Sequence, residues 1–272
     1  SDSEDDVAAL HRARRPRAAV LPLSMLNGAK RDARILCLML TRPALWATTV
    51  AACAYSWMFY TLLTELPSYF TAVLHVSVRE ANIASILPWA VIFATTTLGG
   101  QVCDALIRRG VLTTRNARRA FALAGLLPAA ALLVATARVR DNNSVAIAMM
   151  SAAMGCLGLA ISSWSVNCLD IGGAYAGVAY AFVNTVSNIM GAIAPLVCGV
   201  FTDALGDAEG YTAVFCLSAG LNVLGAFVFV VFVSVESVEQ RVDAADALRA
   251  KIAQQRDDVN ECQRLSTDDR YA

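Results

Sequence analysis

Between positions 44 and 235 the chain alternates long apolar runs with short polar, often charged breaks. The runs are residues 44–63, 81–103, 120–137, 145–169, 174–202 and 211–235, each of 18 or more positions without Lys, Arg, Asp or Glu. A helix rises about 1.5 Å per residue, so roughly 20 residues cross the ~30 Å hydrocarbon layer of a bilayer. One such run is compatible with a buried core helix. Six in succession predict an all-α, polytopic membrane protein of six transmembrane helices.

The runs differ in polarity. The first carries Thr48, Thr49, Ser56 and Thr61 with Tyr55 and Tyr60; the second carries Ser85, Thr95, Thr96, Thr97 and Gln101. The fourth holds Ser151, Ser162, Ser163, Ser165 and Asn167, and the fifth Asn184, Thr185, Ser187 and Asn188, whereas the third has Thr136 alone. Polar side chains turn away from lipid tails towards a bundle interior or a wet cavity. Spans one, two, four and five are therefore expected to line an interior, with the third outside and the sixth intermediate. That is the polarity of a three-plus-three repeat. Pro88, Pro128 and Pro195 fall within runs and Pro67 just after the first, so kinks are expected, above all across Gly191, Pro195 and Gly199.

Charge adds an orientation. Of 22 Lys and Arg, eight precede Pro43, five lie between Asp104 and Arg119, and six follow Val235. Only Arg79, Arg138 and Arg140 lie in the opposite loops. The positive-inside rule then places both tails in the cytosol. The expected layout is a cytosolic, partly disordered linker over residues 1–43 (1–34 largely without structure), a bundle over 44–235, and a cytosolic tail over 236–272 that includes a short helix. The net charge is zero, so the basic residues read as topology determinants and no nucleic-acid partner is implied. Six of eight cysteines lie inside apolar runs and none is spaced C-x-x-C, so neither a disulfide framework nor a metal site is expected.

Particular residues then reach a family. The segment from Trp57 to Pro67, WMFYTLLTELP, resembles the seventh transmembrane helix of the anion:cation symporter family of the major facilitator superfamily. That is the group of sialin, the vesicular glutamate transporters and the type I sodium–phosphate cotransporters. Ser85-Ile-Leu-Pro-Trp89, Gly99-Gly-Gln-Val-Cys-Asp104, Asn167-Cys-Leu-Asp-Ile171, Tyr175-Ala-Gly177, Asn184-Thr185, Gly191 through Pro195 and Val233-Ser-Val-Glu236 follow in the family's order. The resemblance covers about residues 31–240 and is nearest the sialin-like branch. It implies that the six spans are helices seven to twelve of a twelve-helix fold, the C-terminal half, whose partner is a missing N-terminal six-helix half. Two departures stand out. Asn167-Cys-Leu-Asp-Ile-Gly-Gly173 replaces the family's Asn-His-Leu-Asp-Ile-Ala-Pro, and Tyr55 stands where vesicular glutamate transporters resemble one another in an Arg.

The candidate chemistry is that of a solute path. Tyr55 and Tyr60 are about 140° apart around a helix, so they flank a cavity rather than share a narrow face. Their phenols can donate hydrogen bonds to a carboxylate. Asn184, Asn188 and Ser187 form a polar patch, with Asn184 preferred for ligand contact because it matches the family's Asn-Thr motif. Ser163, Asn167 and Asp170 form one stripe, from which Ser163 is expected at the substrate and Asn167 and Asp170 at a gate or cap. Asp104, Arg108 and Arg109 resemble the short cytosolic loop signature of the superfamily, with a carboxylate latching the helix start near Ala174. Pro195 completes the gating or structural set. No run contains Lys or Arg, so this half offers an anion only hydroxyls, amides and helix dipoles.

The expected function is secondary active transport of a small anion (sialic acid-, glutamate- or phosphate-like) by symport, driven by a coupling proton or sodium through alternating access. The setting is a plasma, lysosomal or vesicular membrane. No paired carboxylates, Ser/His pair or metal cluster argues for an enzyme, and no cofactor is implied. The alternative is a truncated, non-transporting membrane protein or an assembly partner of other transporters.

Overall fold

The computed structural model describes residues 23–139 and 142–268, with side chains over 31–139 and 142–256. Among them the chain is helical throughout: α1 (Leu23–Leu40), α2 (Pro43–Ala72), α3 (Val78–Ala84), α4 (Ile86–Arg108), α5 (Thr114–Thr136), α6 (Asn143–Gly172), a 3-10 turn (Gly173–Tyr175), α7 (Ala176–Leu205), α8 (Asp207–Phe232) and α9 (Val238–Asp268). By contacts the chain divides into Ser1–Cys37 and Leu38–Ala272, and the bundle lies wholly in the second unit.

Each apolar run becomes helix, but several boundaries move. The first run stops before Glu65, whereas α2 continues through Glu65 and Pro67 to Ala72. Glu65 is accommodated because Thr64 and Tyr211 donate to its two carboxylate oxygens, at 3.1 and 3.2 Å. The second run is interrupted at Ser85, which separates α3 from α4. Pro88 is therefore the third residue of α4, where its missing N–H has no partner to lose, and it starts a helix rather than kinking one. Pro128 and Pro195 lie inside α5 and α7. Residues 23–34 belong to α1, where the sequence predicts little structure; apolar Leu23, Leu26, Ala33, Leu36 and Leu40 recur there at helical spacing. Residues 1–22 lie outside the described residues. The C-terminal segment forms a 31-residue helix, longer than the short one expected.

By length and apolarity, four stretches can cross a bilayer, and a fifth if α1 and α2 are taken together as one broken span. One of the four, Asn143–Leu205, is divided by the 3-10 turn into two helices of 30 residues, each about 45 Å long.

Hydrogen bonds between elements show that the bundle helices alternate in direction. At one end, here the tail end, Asn167 near the finish of α6 accepts from Thr48 near the start of α2 and donates to the Ser234 carbonyl beyond α8. At the far end, the Tyr69 hydroxyl of α2 reaches the Thr136 carbonyl of α5 at 3.5 Å, and Tyr211 of α8 reaches Glu65. The packing interleaves two triplets. α2 rests on α7 and α8; correspondingly, α6 rests on α4 and α5. α5 meets α8, and α2 meets α6. Exchanging (α2, α4, α5) with (α6, α7, α8) maps these pairs onto one another with helix direction reversed, the pattern of an inverted repeat.

α5 is peripheral on one side only. Its outward face is apolar and exposed (Leu123, Ala124, Leu127, Ala131), yet Ala117, Phe121, Gly125, Leu126 and Leu133 are buried. Close approach between α4 and α6 depends on Gly158, where a Cβ would run into the Thr95 hydroxyl and lie 2.9 Å from the Ile92 carbonyl. Thr95 is thereby a packing residue, its hydroxyl donating to the carbonyls of Val91 and Ile92.

Candidate functional site

Two polar regions emerge. The first is at the tail end, and counting charge-free runs does not find its centre. Thr113 accepts from the Asn116 amide, so α5 begins at Thr114, six residues before the apolar run. Arg118 consequently lies inside the helix, 4 % exposed. Its Nε donates to Asp170 Oδ2 at 2.9 Å, and its Nη1 to the Ser162 carbonyl at 3.1 Å and Cys103 Sγ at 3.4 Å. The expectation that this half offers an anion no cation within its helices is corrected by this guanidinium, although it is already paired. Asp170, expected at a gate or cap, is an ion-pair partner binding α6 to α5. Ser163 donates to the Arg118 carbonyl at 2.6 Å and is fully buried. It therefore faces α5, and its expected substrate contact is withdrawn.

Asn167 is completely buried, and its two bonds join α2, α6 and the segment after α8. Arg42 closes the same end, donating to the Glu236 carbonyl at 2.7 Å and to Ser234 Oγ at 3.4 Å. Arg241 holds the Glu236 carboxyl below the usual carboxylate range by hydrogen bonding to it. The loop signature behaves differently from expectation. Asp104, Arg108 and Arg109 are exposed, and the Ala174 amide donates to a Glu239 carboxylate oxygen at 3.3 Å rather than to Asp104. Glu239 stands at the start of α9, immediately after the bundle closes, and its side chain reaches the positive-φ turn at Gly173.

The second region runs along α2, α6 and α7 and is built of aromatic rings. Tyr55 stacks on Phe59 (centroids 5.7 Å apart) and lies 5.5 Å from Trp164 of α6. Trp164 stacks in turn on Tyr180 of α7 at 6.5 Å, while Phe59 meets Tyr60 and Trp89 of α4 edge-on, both at 5.5 Å. Tyr60 crosses to α7, donating to Asn188 Oδ1 at 2.6 Å. Its ring lies where a Cβ on Gly191 would be, 2.9 Å away, so glycine is what lets the tyrosine lie against the helix. Asn184 is one turn beyond Tyr180 and one turn before Asn188, at the level between the rings. Its side chain is half-buried and has no hydrogen-bond partner among the described residues; nor has the Tyr55 hydroxyl.

The structure thus joins Tyr55 and Tyr60 through Phe59 in one run of contacting rings, with Tyr60 tied to Asn188 one turn from Asn184, and turns Ser163 away towards α5. Phe59, Trp89, Trp164 and Tyr180 belong to the same run and escape the sequence reasoning. Their signal is present as aromatic residues on four apolar runs, but spacing within one helix cannot show that rings from different helices converge.

Comparison with known proteins gives this architecture a place. The sequence model described as Major Facilitator Superfamily matches residues 7–195. The chain belongs to that superfamily. Sialin from Ovis aries is 37% identical over 194 residues, 71% of this chain and 39% of sialin. The probable small intestine urate exporter of Homo sapiens is 32% identical over 189 residues, 69% of this chain and 38% of the relative. Vesicular glutamate transporter 1 of Bos taurus is 31% identical over 196 residues, 72% and 35% respectively. Within the superfamily the chain falls in the anion:cation symporter group, on its sialin-like side. It spans about two fifths of the length of these relatives.

Proposed function

We propose that this chain supplies the C-terminal half of a secondary transporter that carries small organic or inorganic anions by alternating access, with a proton or sodium ion as the coupling species. The observation that carries the reading is the α2–α7 face, where polar groups without partners stand among aromatic rings in a bundle of transporter ancestry. Trp164 Nε1 on the same face is buried without a partner, although buried polar groups ordinarily find hydrogen bonds. Tyr55 and Asn184 are assigned to the solute, and Tyr60 shapes the same wall from its bond to Asn188. Burial of α4 and α7 is incomplete: Phe93, Leu98 and Val102, and Leu196 and Val200, are exposed. These surfaces are where the missing N-terminal half is assigned, so that the solute site lies between the halves.

The tail-end ties have a different role. Arg118, Asp170 and Asn167 hold the helices of this half together while the half moves as a body. Asp104, Arg108 and Arg109, exposed on the loop between α4 and α5, are free to engage the opposite half at a cytosolic gate, with both tails on that side. The test is uptake by the full-length protein in vesicles, with imposed proton or sodium gradients, of sialate, urate, glutamate and phosphate. Gradient-driven uptake of at least one is expected. Its absence across the panel, from protein shown to be folded, would contradict the proposal.

A further inference from the structure

The chain has four tryptophans, and two of them account for their indole N–H inside the bundle unit. Trp46 donates to the Leu40 carbonyl at 2.8 Å and Trp57 to Ser218 Oγ at 3.0 Å. Trp164 does not. It is only 6 % exposed, and its Nε1 is buried with no hydrogen-bond partner. Buried donors in folded proteins are satisfied in the great majority of cases, so an exception calls for a reason.

The surroundings of Trp164 supply one. Its ring lies between Tyr55, 5.5 Å away, and Tyr180, parallel to it within 6°. Among the described residues no carboxylate bonds to this donor: the nearest acid along α6, Asp170, is turned to Arg118. Tyr180 is 39 % exposed and its hydroxyl has no partner among the described residues, so it is held against the π face of the indole by stacking alone and leaves the in-plane N–H edge to its other neighbours. It sits on the second turn of α7, close to the positive-φ turn at Gly173.

We propose that the Trp164 indole N–H is a substrate-binding donor, exposed when the helices around it part during alternating access, that receives a carboxylate oxygen of an organic anion whose ring or apolar body lies on the aromatic wall. This rests on the transporter reading and narrows its substrate class. An indole can only donate, which fits an anion and excludes a cation. Neutral donors and aromatic faces, with no guanidinium or ammonium at this level of α2, α6 or α7, suit a singly charged carboxylate attached to a ring. They suit inorganic phosphate poorly, because its denser charge is costly to strip of water without a fixed cation.

The experiment uses the full-length protein in vesicles, with sialate as the cyclic carboxylate and inorganic phosphate as the contrasting anion. Trp164→Phe keeps a ring and removes the donor. The expected result is a KM for sialate raised at least about tenfold with maximal rate retained, the size of one lost hydrogen bond to a charged group. The substrate-free melting temperature should be unchanged or higher, since the variant deletes an unsatisfied group, and sialate should protect the variant less against melting than it protects the wild type. An unchanged KM with unchanged protection overturns the proposal, as does transport of phosphate in preference to sialate by the wild type. Should Trp164→Phe fail to fold, Trp164→His and Trp164→Leu make the same comparison. The histidine, which keeps a ring N–H, is expected to hold sialate more tightly than the leucine, and equal KM values overturn the assignment. If the wild type neither transports nor is stabilised by any anion of the panel, the transporter reading fails and this one with it. If it transports sialate but Trp164→Phe is silent, only the donor assignment fails.

Discussion

The tail end and the α2–α7 face of this bundle use the same kinds of polar residue to opposite effect. At the tail end Arg118 has three acceptors, Asn167 has both ends of its amide engaged, and Ser163 donates to a backbone carbonyl. On the face, the Tyr55 hydroxyl, the Asn184 amide and the Trp164 indole are left without partners among the described residues. The difference separates polar groups that build a bundle from polar groups held ready for something else. A buried, saturated group is valuable to stability because removing its partner strands a charge or a dipole. A group with nothing attached contributes little to stability, and its substitution is felt only when the ligand is present.

Five experiments bear on that contrast, and the strongest effect is expected at the ion pair. Asp170→Ala strands the Arg118 guanidinium in an apolar setting and should lower stability by about 3–5 kcal/mol, read as loss of folded, detergent-soluble full-length protein on heating. The double variant Arg118→Met, Asp170→Leu should recover much of that loss, because an apolar pair leaves no charge unpaired. If Asp170→Ala were as stable as the wild type, the tail end would not be the structural half of the contrast. Asn167→Ala removes the contacts to Thr48 and Ser234 and should cost about 1–3 kcal/mol by the same assay.

How much of this could be read from the sequence differs between the two regions. The helices of the bundle were legible because lipid-compatible length is a property of one continuous segment. The tail-end cluster was not, since Arg118 lies two residues before an uncharged run and looks like a loop residue until the Thr113 cap starts the helix early. Asp170 is expected at a gate or cap for the same reason, because its partner Arg118 lies outside the uncharged run. Tyr55, Tyr60 and Asn184 were accessible through polarity and family resemblance, and the structure joins the two tyrosines through Phe59 and ties Tyr60 to α7 one turn from Asn184. Ser163 carried the same signal and points elsewhere, because polarity says that a side chain avoids lipid but not which neighbour it meets. Trp164 carried no polar signal at all; only a structure reveals that its N–H is unmet.

Smaller effects sharpen the other side. Tyr55→Phe and Asn184→Ala should leave the melting temperature of the substrate-free protein within about 1 °C, while raising the KM for transported anion about ten- to a hundredfold, since a hydrogen bond to a charged group is worth about 1.5–3 kcal/mol. A fall in stability as large as that of Asn167→Ala would place these residues with the structural set. The slightest effect is expected at Glu236. Its carboxyl titrates below the ordinary range because Arg241 bonds to the charged form, so the contact persists at neutral pH and is lost only as pH falls through that depressed value. Glu236→Gln should abolish this acid-range dependence, followed by proteolysis at the α8–α9 junction, and should leave uptake at neutral pH unaltered.

Solvent access distinguishes the two regions most directly. In a full-length background lacking its native cysteines, Asn184→Cys and Ser163→Cys are treated with a membrane-impermeant, water-soluble thiol reagent, with and without transported anion. The prediction is that position 184 is modified and is protected by the anion, whereas position 163 stays unmodified in both conditions. Modification of 163 with 184 sealed, or sealing of both whatever the ligand, would contradict the assignment of the α2–α7 face as the path of the solute.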